Sequence, residues 1–452
     1  MIKKKKTKHR LSYYSIVTLI ICIAVSSFSF ILPLSLAKDQ DNQTTLSSIK
    51  EATNLAFRNN LGIQIQEKEV VASRAAIMQA RSAILPQVNV EAGYTHNDKV
   101  LAENIFSGYR NDHILGLSAS QIIYDGGASV ASIKQAQLSL KVAEQTLLAE
   151  KLNIEFETKR LYYGLLLAYE TERITQDLFN QAQAHYEDVL HKFEQGTSSK
   201  FDLLQSKVQV SKVVPELVKA KNAVDLIKAD LKKLLRIKMD YYLEVKDKLS
   251  YSAIEINEQE FLKVAYLSQP QMNIRALGID INKWAIKLAR ASNLPQINAN
   301  AGYNYRSNNL GNMIDSDHRN WSAGITLSVP LFDGFSSKAK VDAARARYEE
   351  SRLQKEDVGD QIAVDIRQAC LDLRQSQAII DYTKDNIGEA KEALKISEVS
   401  YDNGEGTNLD ILDAQVSLSQ VEQNLASGIY DYLMANAFLN KTMGKLSEGD
   451  MK

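Results

Sequence analysis

The sequence predicts a mainly α-helical chain with a membrane β-barrel contribution. Three observations carry that reading: apolar residues recurring every seventh position over very long stretches, four short segments alternating with period two, and the return of both patterns in the second half. Of 452 residues, 45% are apolar and 24% charged, which is enough for a substantial core. With only 6 prolines and 20 glycines, little interrupts the helices. Two cysteines, Cys22 and Cys370, exclude a disulfide framework and any centre of three or four thiolate ligands.

The chain opens with Lys3, Lys4, Lys5, Lys6, Lys8 and Arg10 and no acid, followed by an uncharged apolar run from Ile16 that ends in Ser35-Leu36-Ala37. Residues 1–37 are therefore read as a secretory signal; the alternatives are a retained membrane anchor and, for the lysines alone, a nuclear-import or nucleic-acid patch. Removing the segment leaves 48 basic against 55 acidic residues, a net charge of −7 that speaks against nucleic-acid binding. Cys22 follows Leu19-Ile20-Ile21 rather than a small residue, so a lipid anchor is not expected. Cys370, the remaining thiol, is expected as a small buried hydrophobe.

Four ordered matches relate the halves at an offset of about 208 residues. Leu85-Pro86-Gln87 returns as Leu294-Pro295-Gln296, and Tyr124-Asp125-Gly126-Gly127 as Phe332-Asp333-Gly334-Phe335. Phe193-Glu194-Gln195-Gly196 returns as Tyr401-Asp402-Asn403-Gly404, and Phe201-Asp202-Leu203-Leu204 as Leu409-Asp410-Ile411-Leu412. The expected organisation is one repeat over 38–248, a second over 249–445 and a short tail, 446–452.

Each repeat should begin with a shorter helix, roughly 46–84 and 258–292. Strands follow at about 87–96, 113–123, 296–305 and 320–330, where Val88, Val90, Ala92 and Tyr94 alternate with polar or small residues, as do Ile297, Ala299, Ala301 and Tyr303. In this geometry Val90, Tyr94, Ala301, Tyr303, Ile325 and Leu327 share the lipid face, and Asn89, Glu91, Asn298 and Thr326 the lumen face. The long helices come next, in hairpins 128–237 and 337–443. Ile133, Leu140, Leu147, Ile154, Leu161 and Ala168 mark one heptad stripe, and Ile366, Leu373, Ile380, Ile387, Leu394 and Tyr401 its counterpart. The returning helices carry Leu203, Val210, Leu217, Val224 and Leu231, mirrored by Ile411, Leu418, Leu425, Tyr432 and Leu439. A sustained period of 3.5 means left-handed coiled-coil packing. Pro215 has no counterpart in the second half and predicts a local kink.

Four strands cannot close a barrel, so the architecture calls for partner chains. With Leu-Pro-Gln before the first strand of each half, Asp-Gly opening each long helix, and Tyr401-x-x-Gly404 followed by Leu409-Asp410-Ile411-Leu412-Asp413-Ala414, the chain resembles the TolC-like outer-membrane factor family. The resemblance implies a homotrimer with a shared 12-stranded barrel in outer-membrane lipid and a 12-helix periplasmic tunnel closed at its inner tip, in the outer membrane of a Gram-negative bacterium. It further implies a periplasmic adaptor and an inner-membrane pump of RND, ABC or MFS type as partners, with no cofactor and no metal. Matched position by position, it places a gate ring on Asp410 and Asp413 and a gate latch on Asp202 and Tyr401, expected to be hydrogen bonded. Adaptor docking falls on Gly196, Thr197, Gly404 and Glu405. The arginine some members carry two residues after the motif glycine is Gly406 here, which removes the charged part of the latch.

Plainer readings exist for each residue. Asp410 and Asp413 suit a helix start through the macrodipole alone, Tyr401 continues a heptad stripe, and the glycines can serve a hairpin turn. No catalytic motif occurs, and His185 and His191, six apart on a helix, do not share a ligand face; His96, His113 and His318 lie near strands. The expected function is a passive exit duct of a tripartite efflux pump or type I secretion system; the alternative is a periplasmic coiled-coil adaptor or scaffold outside the membrane. The scattered Met78, Met239 and Met313 do not point to soft-metal cargo, and the cargo stays open among drugs, bile salts, metals and secreted proteins.

Overall fold

The computed structural model describes residues 43–98 and 110–446; the signal segment with Cys22, and the tail beyond residue 446, lie outside the described residues. In chain order the elements are β1 (Gln43–Leu46), α1 (Ile49–Asn59), α2 (Leu61–Ser82), β2 (Gln87–His96), β3 (Asn111–Asp125), α3 (Ala128–Glu194) and α4 (Lys200–Leu235). The second half follows with β4 (Tyr242–Val245), α5 (Glu258–Ser268), α6 (Pro270–Ala291), β5 (Gln296–Ser307), β6 (Arg319–Ser328), α7 (Ser336–Asp402) and α8 (Asn408–Thr442). Both long helices have 67 residues, about 100 Å at 1.5 Å per residue.

Two expectations are corrected. The shorter helices are each broken in two, at Asn60 and at Gln269. Both residues are extended and use their side-chain oxygen to cap the following helix, and Pro270 disfavours a helical conformation at Gln269. The strand count also rises, because β1 and β4 form a separate two-stranded ladder. At four residues each they are too short for an alternating pattern, yet they bury Leu46 and Leu243.

The expected four-stranded sheet has the order β2-β3-β5-β6 and is antiparallel throughout. Its register sorts the side chains by face: Val90, Leu117, Tyr303 and Trp321 form one cross-strand row, and Val88, Ala119, Ala301 and Ala323 the next on that face. The opposite face carries Asn89, Ser118, Gly302 and Ser322, then Glu91, Gly116, Asn304 and Asn320. Every residue of β2 and β6 is exposed in the single chain, and these strands are also the sheet's two edges. Such a sheet neither covers a core nor closes its own edges.

The motif opening each long helix is a capping device. Asp125 accepts from the N–H groups of Gly127 (3.1 Å) and Ser129 (2.7 Å) and from the Ser129 hydroxyl. Asp333 accepts from the Ser337 N–H (2.7 Å) and hydroxyl, and these bonds, the hydroxyl first, hold its carboxyl below the usual range. Gly126 must be glycine twice over, with φ of 68° and a Cβ position 2.7 Å from the Leu294 side chain.

Helices α3 and α4 pack as one antiparallel hairpin, α7 and α8 as a second, and α3 packs along α8 to join them. The heptad stripes lie in these seams: Ile154, Leu161 and Ala168 are buried with Val224 and Leu231, and Ile366, Leu373 and Ile380 with Tyr432 and Leu439. Cys370 is fully buried in the second core, and burial pushes its thiol up. Pro215 is exposed and α4 runs through it unbroken.

Candidate functional site

The site lies at the far end of the hairpins. Each tip reverses at a glycine of left-handed conformation, Gly196 (φ 78°) and Gly404 (φ 76°), with open space where a Cβ would stand. The turns are closed by bonds from Thr197 N–H to the Lys192 carbonyl (2.8 Å) and from Glu405 N–H to the Ser400 carbonyl (2.8 Å). Gly196, Thr197, Gly404 and Glu405 are all exposed. Gly406 is different: its Cβ position lies 3.0 Å from the Tyr401 nitrogen, so this turn tucks its backbone where the resembling family can place an arginine.

The paired aspartates have separate environments. Asp410 completes a capping box with Thr407, accepting from the Thr407 N–H and hydroxyl, both at 2.7 Å. The backbone bond, then the hydroxyl, holds its carboxyl below the usual range. Asp413 stands one turn further on and is exposed. Asp410 thus serves the helix start, while the Asp413 carboxylate is exposed in the single chain.

Asp202 and Tyr401 are not hydrogen bonded to each other in this chain, which corrects the expected bond. The Asp202 carboxylate instead accepts from the Ser199 hydroxyl at 2.6 Å, as part of its own helix start. The Tyr401 ring packs edge-on to His185, centroids 5.5 Å apart, with Lys192 Nζ 4.4 Å from its centroid. Lys192 pairs with Asp188 and, across the hairpins, with Asp402, both at 2.8 Å. Burial works against the Lys192 charge, but the two carboxylates outweigh it and hold the ammonium above its ordinary range.

Beside this cluster is a contact that motif reading passes over. His185 is buried on α3, and its Nε2 lies 2.6 Å from Oδ1 of Asn408, which is 2% exposed at the start of α8. Asn408 Nδ2 donates to Gln205 Oε1 (3.0 Å) and points to the Asp202 carbonyl (3.5 Å), both on α4. With Nδ2 so engaged, Oδ1 faces His185 as the acceptor, an arrangement that calls for the imidazole proton on Nε2. The sequence holds one signal for it. Continuing the first heptad stripe past Ala168 reaches Ala182 and Val189, both buried, and His185 occupies the seam position between them.

At the sheet, aromatic side chains bracket the apolar face. Tyr94 stacks on His113 (4.8 Å), Tyr303 meets Tyr305 (5.4 Å), and Trp321 is 73% exposed. At the other end stand Tyr124, Phe332 and Phe335, the last two edge-on at 5.5 Å. Eight residues separate Tyr305 from Ile297, which pairs with Tyr124 and Leu327; at a strand tilt of 35–45° they span a height of about 20 Å, close to the apolar band of outer-membrane barrels. No helix among the described residues is long and apolar enough to cross a membrane.

The family described as outer membrane efflux protein matches this chain twice, over residues 52–235 and 262–445. Outer membrane protein TolC of Vibrio cholerae is 26% identical over 423 residues, covering 90% of this chain and 94% of the relative. The alkaline protease secretion protein AprF of Pseudomonas aeruginosa is 21% identical over 416 residues, covering 88% and 85%. Among solved structures, the outer membrane protein VceC of Vibrio cholerae superposes with a TM-score of 0.77 at 18% identity, covering 88% of this chain and 96% of that one.

Proposed function

Because the chain belongs to the outer membrane efflux protein family, we propose that it is the outer-membrane exit duct of an efflux pump or type I secretion system: a passive channel whose helical part extends into the periplasm and is gated at its inner tip. The sheet carries this reading. A four-stranded antiparallel sheet, exposed at every position of both edge strands, has an apolar face bracketed by aromatics and a polar opposite face, which suits a quarter to a half of a small barrel rather than a layer on a soluble core. Three copies would contribute twelve strands and twelve long helices, the homotrimer that closes both edges.

In that assembly Val90, Tyr94, Ala301, Tyr303, Ile325 and Leu327 meet lipid, while Asn89, Glu91, Asn298 and Thr326 line the water path. A scaffold outside the membrane leaves this division without a cause. At the inner end, threefold symmetry multiplies the carboxylates of Asp413, with Asp410 behind them, into a cation-attracting ring. The exposed turns at Gly196-Thr197 and Gly404-Glu405 offer docking for a periplasmic adaptor, through which an inner-membrane pump supplies the energy. Asp202 and Tyr401, beside the tips of the two hairpins, stand where the resemblance places the gate latch.

The test is outer-membrane assembly of two neighbouring variants. Ala301→Arg, midway between Tyr305 and Ile297 on the lipid face, should cost about 2–4 kcal/mol near the bilayer midplane, whereas Asn300→Arg, facing the lumen, should assemble almost normally. Equal tolerance of both would end the barrel reading.

A further inference from the structure

The apolar face of the sheet differs between its two ends. Away from the helices its rows continue as Ala92, Leu115, Tyr305 and Arg319, then Tyr94, His113 and Ser307, and last His96 and Asn111. Towards the helices they are Gln121, Ala299 and Ile325, then Tyr124, Ile297 and Leu327. Within the paired strands this face therefore carries three basic side chains, His96, His113 and Arg319, all in the outer rows, and no acidic one. Of the carboxylates in these strands, Glu91 and Asp112 belong to the opposite face and Asp125 caps α3. Two arginines show the contrast. Arg306, on the lumen side, grips Asp112 as a fork, with Nε 2.9 Å from one carboxylate oxygen and Nη2 2.7 Å from the other. Arg319, on the apolar side, is exposed and has no ion-pair partner among the described residues, the loop acids Asp98, Asp315 and Asp317 included.

We propose that Arg319, joined across each junction between copies by His96 at the outer end of the next β2, binds the phosphate groups of a phosphorylated glycolipid in the outer leaflet of the outer membrane. The inference goes beyond the duct reading and rests on its barrel. Arginine keeps its charge at any physiological pH, and its planar fork of donors matches carboxylate or phosphate. The chain supplies Arg319 with no carboxylate, which leaves the surrounding lipid as the source of its counter-charge. The depth fits a headgroup, because Arg319 pairs across the ladder with Tyr305, the residue that ends the apolar band. The site also belongs to one leaflet, since the rows nearest the helices have aromatic and aliphatic side chains but no cation. Closing the barrel gathers it. Strands β2 and β6 are the two edges, and β2 runs outwards while β6 runs back. Joined edge to edge, the outer end of one copy's β6 comes to lie beside the outer end of the next copy's β2.

The experiment is native mass spectrometry of the full-length protein titrated with hexa-acyl lipid A bearing two phosphates, one or none. The diphosphorylated form should bind about ten- to hundredfold more tightly than the phosphate-free form, the factor that a charge-assisted hydrogen bond carries. Arg319→Gln should bring the two forms within about threefold of each other, and Arg319→Lys, a charge without the fork, should fall between. His96→Gln should lower the preference by a smaller factor. Arg345→Gln, which removes an exposed charge from α7, should bind like the parent. The site would fall if the parent ignored the phosphates, or if Arg319→Gln kept the parent's preference or no longer assembled. Phosphatidylglycerol bound as tightly as the diphosphorylated lipid would overturn it in favour of a general liking for anionic lipid. Displacement by inorganic pyrophosphate at the same concentration would overturn it in favour of a soluble phosphate ligand. A parent that binds no lipid of any kind would count against the barrel itself.

Discussion

Within each hairpin and between the two hairpins, this chain packs helices in opposite ways. The α7–α8 seam buries Ile366, Leu373, Ile380, Tyr432 and Leu439, all at 1% exposure or less, in coiled-coil fashion. The lower α3–α8 seam instead mixes buried Ile174 and Leu418 with polar pairs, Thr171 with Gln423, Arg173 with Glu422 and His185 with Asn408. The first kind of seam derives its strength from area removed from water and loses it only by unfolding. The second contributes a few net hydrogen bonds that water can replace. Rigid hairpins with a soft join between them are what a tip needs if it is to dilate while each hairpin stays folded.

Substitutions should separate the two seams. Leu373→Ala, in the apolar seam, is expected to cost about 2–5 kcal/mol, seen as a lower unfolding midpoint, with unchanged conductance in the channels that form. Gln423→Ala, in the polar seam, should cost only about 0.5–1.5 kcal/mol yet raise the open probability. If Leu373→Ala opened the channel and Gln423→Ala did not, the comparison would be inverted.

Smaller effects sharpen it. Glu422→Gln removes a partner of Arg173, itself 47% exposed and also paired to Glu170 and Asp177, so about 0.2–1 kcal/mol is at stake. The parent's open probability should rise with salt, and this variant should show a weaker salt dependence. The two aspartates should differ in kind. The Asp410 carboxyl titrates below its ordinary value in the folded chain, so its cap is at full strength above the ordinary carboxylate pKa and is lost as pH falls through the folded value. Asp410→Ala should therefore remove part of the acid-side loss of stability, read from melting curves at neutral and acidic pH. Asp413→Ala should reduce cation selectivity, read from reversal potentials in a salt gradient.

Much of this was legible in the residues. The spacing of Ile366, Leu373 and Ile380 placed the apolar seams, and the alternation around Val90 and Tyr303 placed the sheet faces, because both follow from local periodicity. The helix break at Asn60 leaves hydrophobic periodicity nearly intact and so has little sequence signal, whereas Pro270 marks the one at Gln269 in the residues themselves. The sequence offers for His185 only its spacing from His191, wrong for a shared ligand face; its partner lies 223 residues away, and only the packing of α3 on α8 brings them together. Asp410 and Asp202 read as channel or latch groups by motif, whereas Thr407 and Ser199, each three residues earlier, claim their carboxylates as helix caps.

The claim that the hairpins part from each other while remaining intact is tested most directly by tethering. In a Cys370→Ala background, one full-length variant carries Lys192→Cys with Asp402→Cys, joined across the hairpins by a short bismaleimide. A second carries Leu394→Cys with Ala414→Cys, joined within the α7–α8 hairpin. The tether between hairpins should abolish openings in planar bilayers, and the tether within one should leave them as frequent as before. Frequent openings with the hairpins tethered together, or their loss when only α7 and α8 are tethered, would contradict the account.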